Sequence, residues 1–276
     1  MKKFLFAALS AFALIAGAQS HGVYGFNIEN VMNFIAQSER TLKPSQCAMI
    51  GSGTMLAMTK NAKAYRKMLE ITEQRIGNPQ DSLYNDEIYI AMLQHAVDSF
   101  ALAPSEKARP RLLLDNALKN RLGTMATDFS YTTPDGKQHK LSDLQGKVTL
   151  LYFNDPDCDA CATVKERLAT SDDIARLSQA GKLQVLAVYT GNDKKAWEKS
   201  KFPAIAINGW DKNGAIEQNE LYIIPTMPLF YLIATDGTVV MKNVISLNRI
   251  ERALGIVEQN PEATSKELVD LLFNLY

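Results

Sequence analysis

Hydrophobic positions follow two different periods along the chain, and the change falls near Gly123. Before Gly123, apolar residues recur three or four positions apart, as one face of a helix requires, over 55–76, over 87–102 and again from Pro104. After it, short continuous apolar runs alternate with helical segments, and buried strands have such runs. The pattern predicts an all-α N-terminal domain followed by an α/β domain with a central mixed sheet flanked by helices.

The second half contains five predicted strands, each an apolar or β-prone run next to turn residues. They cover Val148–Phe153, Leu183–Tyr189, Ala204–Ile207, Leu229–Ala234 and Thr238–Lys242. The predicted helices between and after them cover about 160–168, 193–200 and 247–254. A further C-terminal helix is predicted from Pro261 to Tyr276.

The first twenty residues differ from the rest of the chain. Lys2 and Lys3 precede an apolar run from Phe4 to Ile15, and the small residues Ala16–Ala18 follow. This layout is typical of a cleavable secretory signal, and the apolar run is short for a membrane span. We expect export to the periplasm or cell envelope of a bacterium as a soluble protein. The alternative is a buried N-terminal helix.

These patterns divide the chain into four predicted segments. They are a signal peptide at 1–20, a helical domain at 21–121, an α/β domain at 122–258 and a C-terminal helix at 259–276. No later segment is long and apolar enough to predict a transmembrane helix in the mature chain. The helical domain carries no chemical motif, so we interpret it as a packing or docking domain that can form a homodimer.

Composition and charge exclude some classes of partner. Hydrophobic residues make up 46% of the chain and charged residues 22%, which is typical of globular domains. Lys plus Arg and Asp plus Glu each number 30, so the formal net charge is zero. A balanced charge gives no electrostatic reason to expect nucleic acid as a partner.

The chain has three cysteines, and two of them form the C-x-x-C motif Cys158–Cys161. Three cysteines are too few for a disulfide scaffold, so chemistry or metal binding is favoured for this pair. A zinc site normally needs four ligands, and no second ligand pair accompanies the motif. A static structural disulfide is a further alternative. Ala162 stands where haem attachment needs histidine, so we expect neither metal nor cofactor.

The position of the motif favours redox chemistry. A predicted strand, a short loop, the motif and a helix follow one another, so Cys158 should lie at a helix start. Unpaired N–H groups and the helix dipole stabilise an anion there, and the thiolate is the attacking species. Residues three apart at a helix start can also close a disulfide. We therefore predict that Cys158 is the exposed nucleophile and that Cys161 lies deeper and resolves the mixed disulfide.

The stretch from Asp128-Phe129 through Leu144–Lys147 to the C-x-x-C motif resembles the envelope thioredoxin-like proteins. These are the TlpA- and ResA-type thiol–disulfide oxidoreductases, related to the AhpC/TSA group. Met227-Pro228, the following strand and Asp236-Gly237 repeat a second pattern of that family. The resemblance covers roughly residues 123–258. The helical region before it loosely resembles uncharacterised N-terminal regions of some exported Bacteroidetes proteins.

The resemblance implies a thioredoxin-like fold and a substrate-binding loop at Met227 and Pro228. Pro228 is expected to be cis and Met227 to present its backbone to the substrate, with Pro225 as a competitor for the cis position. Substrates would be protein thiols and disulfides, and a second redox protein would exchange electrons with the pair.

The motif's surroundings depart from the family pattern. Asp157 and Ala160 stand where relatives often have Trp and Pro, and Tyr152 takes the place of thioredoxin's buried acid. Besides Pro156, the loop carries carboxylates that surround Cys158, namely Asp155, Asp157 and Asp159. Like charge opposes a thiolate, so we hypothesise a weak oxidant that works as a reductase or isomerase. The alternative is that these acids are solvated and have little effect.

Two other functions remain open at this point. The first is a peroxiredoxin-like peroxidase. The peroxiredoxin motif has Thr three residues before its cysteine, whereas this chain has Asp155 at that position. A non-catalytic protein-binding module would leave the cysteines incidental. The third cysteine, Cys47, is predicted to be buried and inert at a helix end, or else to form an intermolecular disulfide.

Overall fold

The computed structural model describes residues 42–275, so the predicted signal peptide at 1–20 lies outside the described part. The chain divides into two compact units, and the division falls after Leu118. Within 42–275, none of the helices combines the length and the apolar character that crossing a membrane requires.

The first unit is all α, as the sequence predicts. Its helices are α1 (Pro44–Met58), α2 (Ala62–Ile71), α3 (Asp86–Asp98) and α4 (Ala108–Leu118), with a π-helical turn at Thr72–Ile76 and a 3-10 turn at Pro104–Lys107. The prediction of one helix over 55–76 is wrong. Helix α1 ends at Met58, and the Asn61 side chain accepts the Ala64 N–H and thereby caps a new helix.

Close packing of α1 against α3 depends on Gly51. A methyl group at Gly51 would lie 2.6 Å from the Ile88 carbonyl oxygen and 3.0 Å from the Ala91 Cβ. Neither atom belongs to a flexible side-chain end, so the two helix backbones would have to move apart.

We expect Gly51→Ala to destabilise the first unit by about 1–3 kcal/mol, the usual range for overpacking a core. Urea unfolding followed by circular dichroism measures this change. Gly255→Ala is the control, because a methyl group there meets no atom within 4 Å on another helix. A Gly51→Ala protein as stable as the Gly255→Ala protein would contradict the close packing.

Cys47 lies in the first turn of α1 and is completely buried. Its sulfur atom is 3.5 Å from the Asn85 amide nitrogen, which donates towards it. The prediction that Cys47 is buried at a helix end is confirmed. A buried thiol cannot reach a second chain without local opening, which disfavours the intermolecular disulfide.

The second unit is built on seven strands. They are β1 (Ser130–Thr132), β2 (Gln138–Lys140), β3 (Val148–Asn154), β4 (Leu183–Tyr189), β5 (Ala206–Trp210), β6 (Leu229–Ile233) and β7 (Val239–Val244). Its helices are α5 (Asp159–Thr170), α6 (Asp172–Gln179), α7 (Lys194–Lys199), α8 (Ala215–Gln218), α9 (Leu247–Gln259) and α10 (Ser265–Leu272).

The strands form one mixed sheet in the order β2-β1-β5-β4-β3-β6-β7. Strands β3, β4 and β5 are parallel to their neighbours in this group, whereas β6 pairs antiparallel with β3, and β1 pairs antiparallel with β5. The predicted α/β class with a mixed sheet is therefore confirmed. The prediction missed the β1–β2 hairpin and α6, and it began β5 two residues too early.

The sheet is covered on both faces. On one face, side chains of α5, α6, α9 and α10 pack against alternate residues of β3 and β4. We call this cluster the helical-face core. The other face is covered by loops, the 3-10 turn at Leu141–Leu144 and α8. Strand β3 lies between β4 and β6, and all its residues except Val148 are buried. The buried strand β3 thus sets the position of the loop and of helix α5, which follow it.

Candidate active site

Cys158 lies just beyond the carboxyl end of β3, an inner strand of the sheet. After β3 ends at Asn154, the chain makes one turn in which the Cys158 N–H donates to the Asp155 carbonyl oxygen at 3.2 Å. Cys158 has extended backbone angles and is the N-cap residue of α5. The predicted order of strand, loop, C-x-x-C and helix is confirmed.

The two cysteines of the motif form a disulfide in this structure, with their Cα atoms 5.1 Å apart. Cys158 is half-buried, whereas Cys161 is only 3% exposed. The Cys161 N–H donates to the Cys158 sulfur atom at 3.1 Å. In the reduced protein, the same N–H group and the start of α5 would stabilise a thiolate on Cys158. Geometry therefore gives the two cysteines the unequal access that a nucleophile and a resolving thiol need.

The loop before β6 lies against Cys158. The Met227–Pro228 peptide bond is cis, as the resemblance implies for Pro228. The Met227 carbonyl oxygen lies 3.8 Å from the Cys158 sulfur atom, and both residues of the loop are half-buried. The loop reaches this position because β6 pairs with β3. Pro225 is exposed. Substrate binding by Met227 and Pro228 stays a prediction.

Three acidic residues flank Cys158 along the chain, two in the loop before it and Asp159 directly after it. The half-buried Asp155 accepts the Asp157 N–H at 2.8 Å, and the half-buried Pro156 lies between them. Asp157 and Asp159 are exposed.

The negative charge of this loop also acts on Tyr189 at the end of β4, the strand next to β3. Burial raises the pKa of Tyr189 at the end of β4, and the Asp155, Asp193 and Asp157 carboxylates raise it further, although a hydrogen bond with the Asp193 backbone opposes them. The loop is therefore a negatively charged surface beside the disulfide.

The helical-face core beneath the disulfide contains Tyr152. Its side chain is completely buried, and its hydroxyl donates to the Cys161 carbonyl oxygen at 3.1 Å. Its ring stacks on Phe230 and meets Phe202 edge to face. The sequence indicated only that Tyr152 replaces an acid. Phe202 carried no signal, because it comes from the loop before β5.

A further feature lies apart from the cysteine pair. A cleft of about 760 Å³ lies between the β1–β2 hairpin and the segment 198–208, and its lining includes neither cysteine. Within 42–275, no three or more His, Cys, Asp or Glu side chains are arranged to hold a metal ion.

Comparison with known proteins assigns the two parts of the chain to two families. Residues 122–241 match the AhpC/TSA family, and residues 29–120 match a domain of unknown function, DUF5106. No curated protein matches the chain.

Solved structures match most of the chain in one case and half of it in another. A thioredoxin-like protein from Bacteroides caccae is similar at 28% identity, with 86% of this chain and 87% of that chain covered and a TM-score of 0.78. The C-terminal domain of an uncharacterized protein from Bacteroides fragilis is 36% identical over 50% of this chain and 99% of its own, with a TM-score of 0.48.

The Bacteroides caccae match, at 86% of the chain, extends over parts of both the helical region and the thioredoxin-like domain. The chain therefore carries an AhpC/TSA family domain with a thioredoxin-like fold, preceded by a DUF5106 region.

Proposed function

We propose that the protein is an exported thiol–disulfide oxidoreductase that exchanges the Cys158–Cys161 dithiol and disulfide with substrate proteins. One observation carries the proposal: a half-buried Cys158 caps α5 beside the Met227–Pro228 loop, with Cys161 buried behind it. The family is consistent with this chemistry. Export is inferred from the signal-like pattern of residues 1–20.

The reaction that fits this geometry has two exchange steps. The Cys158 thiolate attacks a substrate disulfide, so that one substrate sulfur leaves as a thiolate and a mixed disulfide forms. The Cys161 thiolate then attacks the Cys158 sulfur, the second substrate thiolate leaves, and the Cys158–Cys161 disulfide closes. The two protons of the enzyme's thiols end on the two substrate thiols. A dithiol protein of the same compartment would reduce the pair again.

The negative charge around Cys158 supports a flow of electrons from the Cys158–Cys161 dithiol to substrate disulfides. Asp155, Asp157 and Asp159 disfavour a thiolate on Cys158, and a less stable thiolate makes the dithiol a better reductant. We therefore propose that the protein works as a reductase or isomerase and not as a strong oxidant.

A turnover assay tests the proposed function. We expect the protein without residues 1–20 to accelerate the reduction of insulin disulfides by dithiothreitol, followed as insulin precipitation. Cys47→Ser should leave the rate unchanged, because Cys47 is buried in the first unit. A rate equal to that of dithiothreitol alone would refute the oxidoreductase and favour a binding module.

A variant that neutralises two of the loop carboxylates tests their effect on the redox equilibrium. Asp157→Asn/Asp159→Asn should lower the pKa of the Cys158 thiol and shift the equilibrium with glutathione towards the dithiol by about threefold. The effect is small because each exposed charge contributes less than about 1 kcal/mol. Asp172→Asn is the control, since it removes an exposed carboxylate at the start of α6 instead of α5. Equal equilibria for the double variant and the control would mean that the loop acids are merely solvated.

A further inference from the structure

We propose that Tyr152 is a positioning residue that holds the redox turn in place when the disulfide is open, and thereby makes the pair more oxidising than it would be without the hydroxyl. This inference rests on the proposed function of Cys158 and Cys161. Tyr152 lies two positions before the end of β3. Its side chain belongs to the helical-face core, and its hydroxyl contacts the first turn of α5.

The hydroxyl is connected to both cysteines through the backbone. Tyr152 donates to the Cys161 carbonyl oxygen at 3.1 Å. That carbonyl shares a peptide group with the Ala162 N–H, which in turn donates to the Cys158 carbonyl oxygen at 3.0 Å. Hydrogen bonds in such a chain polarise and strengthen one another. The Tyr152 hydroxyl thus adds a tertiary hydrogen bond to the first turn of α5, in which the Cys161 N–H points at the Cys158 sulfur atom.

The ring cannot easily turn the hydroxyl elsewhere. It stacks on Phe230 with ring centroids 4.9 Å apart, and Phe202 meets it edge to face at 6.3 Å. Burial also raises the pKa of Tyr152 well above its usual value, so the hydroxyl keeps its proton and remains a donor at neutral pH. A buried hydroxyl without a partner is unfavourable, so the bond to Cys161 is maintained.

The hydrogen bond from Tyr152 to Cys161 has a different effect in each of the two redox states. In the oxidised protein, the sulfur–sulfur bond itself holds residues 158 and 161 together, so the hydroxyl adds little constraint. In the reduced protein that bond is absent, and the turn depends on its backbone hydrogen bonds and on Tyr152. Only the reduced protein has an anion at Cys158. Because the hydroxyl holds the turn, it keeps the Cys161 N–H directed at that thiolate, and this interaction stabilises the dithiol relative to the disulfide.

The test removes only the hydroxyl. We expect Tyr152→Phe to shift the equilibrium with glutathione towards the disulfide by about three- to tenfold, the range of one net hydrogen bond. The pKa of Cys158, measured from thiolate absorbance, should rise in the same variant. Phenylalanine keeps the stacking on Phe230, so the protein should remain folded.

Tyr222→Phe is the matched control. Its hydroxyl is also buried and donates to a backbone carbonyl, that of Thr127 at 2.8 Å, but it lies in the core on the other face of the sheet. Both variants should lose similar stability, whereas only Tyr152→Phe should change the equilibrium and the thiol pKa. If Tyr152→Phe lowers stability but moves neither quantity, Tyr152 only supports packing. The unsubstituted protein tests the proposed function separately, because its own redox transition does not depend on this comparison.

Discussion

Cys158→Ser is expected to lower the rate of protein disulfide reduction by at least about two orders of magnitude, to the rate without the protein. The reason is that a serine hydroxyl forms no anion at neutral pH and cannot attack a disulfide as a thiolate does. Cys161 cannot take over the attack, because it is only 3% exposed and lies behind Cys158. The measurement is the insulin reduction rate at equal protein concentrations.

The interpretation of this loss requires a folded variant. Cys158 caps α5 through its sulfur atom, and a serine oxygen can accept the Cys161 N–H in the same way. Cys158→Ser should therefore unfold at nearly the same urea concentration as the reduced protein. A Cys158→Ser variant that retains most of the turnover would show that Cys158 is not the nucleophile.

Cys161→Ser is expected to stop the reaction one step later. Cys158 remains half-buried and able to attack, but no thiol remains behind it to release the substrate. We expect a mixed disulfide between Cys158 and the substrate to accumulate to nearly one equivalent per protein. Non-reducing mass spectrometry after acid quenching measures this adduct and identifies the cysteine that carries it.

Each serine variant is the control for the other in the measurement of the mixed disulfide. Cys158→Ser should form almost no adduct under the same conditions, because its remaining motif cysteine is buried. Equal adduct yields from the two variants would mean that the cysteines have equal access, which contradicts the assigned roles. An adduct at Cys47 would contradict its burial in α1.

Much of the candidate active site could be predicted from the sequence because its parts are close together in the chain. The strand Val148–Phe153 is a continuous apolar run, and the motif follows it after a short loop, so the helix start and the order of the two cysteines could be derived. The Met227–Pro228 loop was assigned by resemblance, since proline spacing alone does not identify a cis bond. The structure agrees on that bond.

The remaining parts of the site depend on contacts between distant residues. Phe202 reaches Tyr152 because the loop before β5 folds back over the helical-face core, and no periodic pattern encodes that path. The split of the predicted 55–76 helix was missed because Asn61 acts as a cap among good helix formers. The β1–β2 hairpin was missed as well, because three-residue strands are too short to show alternation.

The reduction potential of the Cys158–Cys161 pair is the most direct test of the proposed dithiol–disulfide enzyme. The protein without residues 1–20 would be equilibrated with glutathione buffers, and its free thiols trapped and counted by mass. We expect one reversible two-electron transition, absent in Cys158→Ser and unchanged in Cys47→Ser, at a potential more reducing than that of strong envelope oxidants. A pair that stays fully oxidised or fully reduced in every buffer, with no transition, would contradict a dithiol–disulfide enzyme.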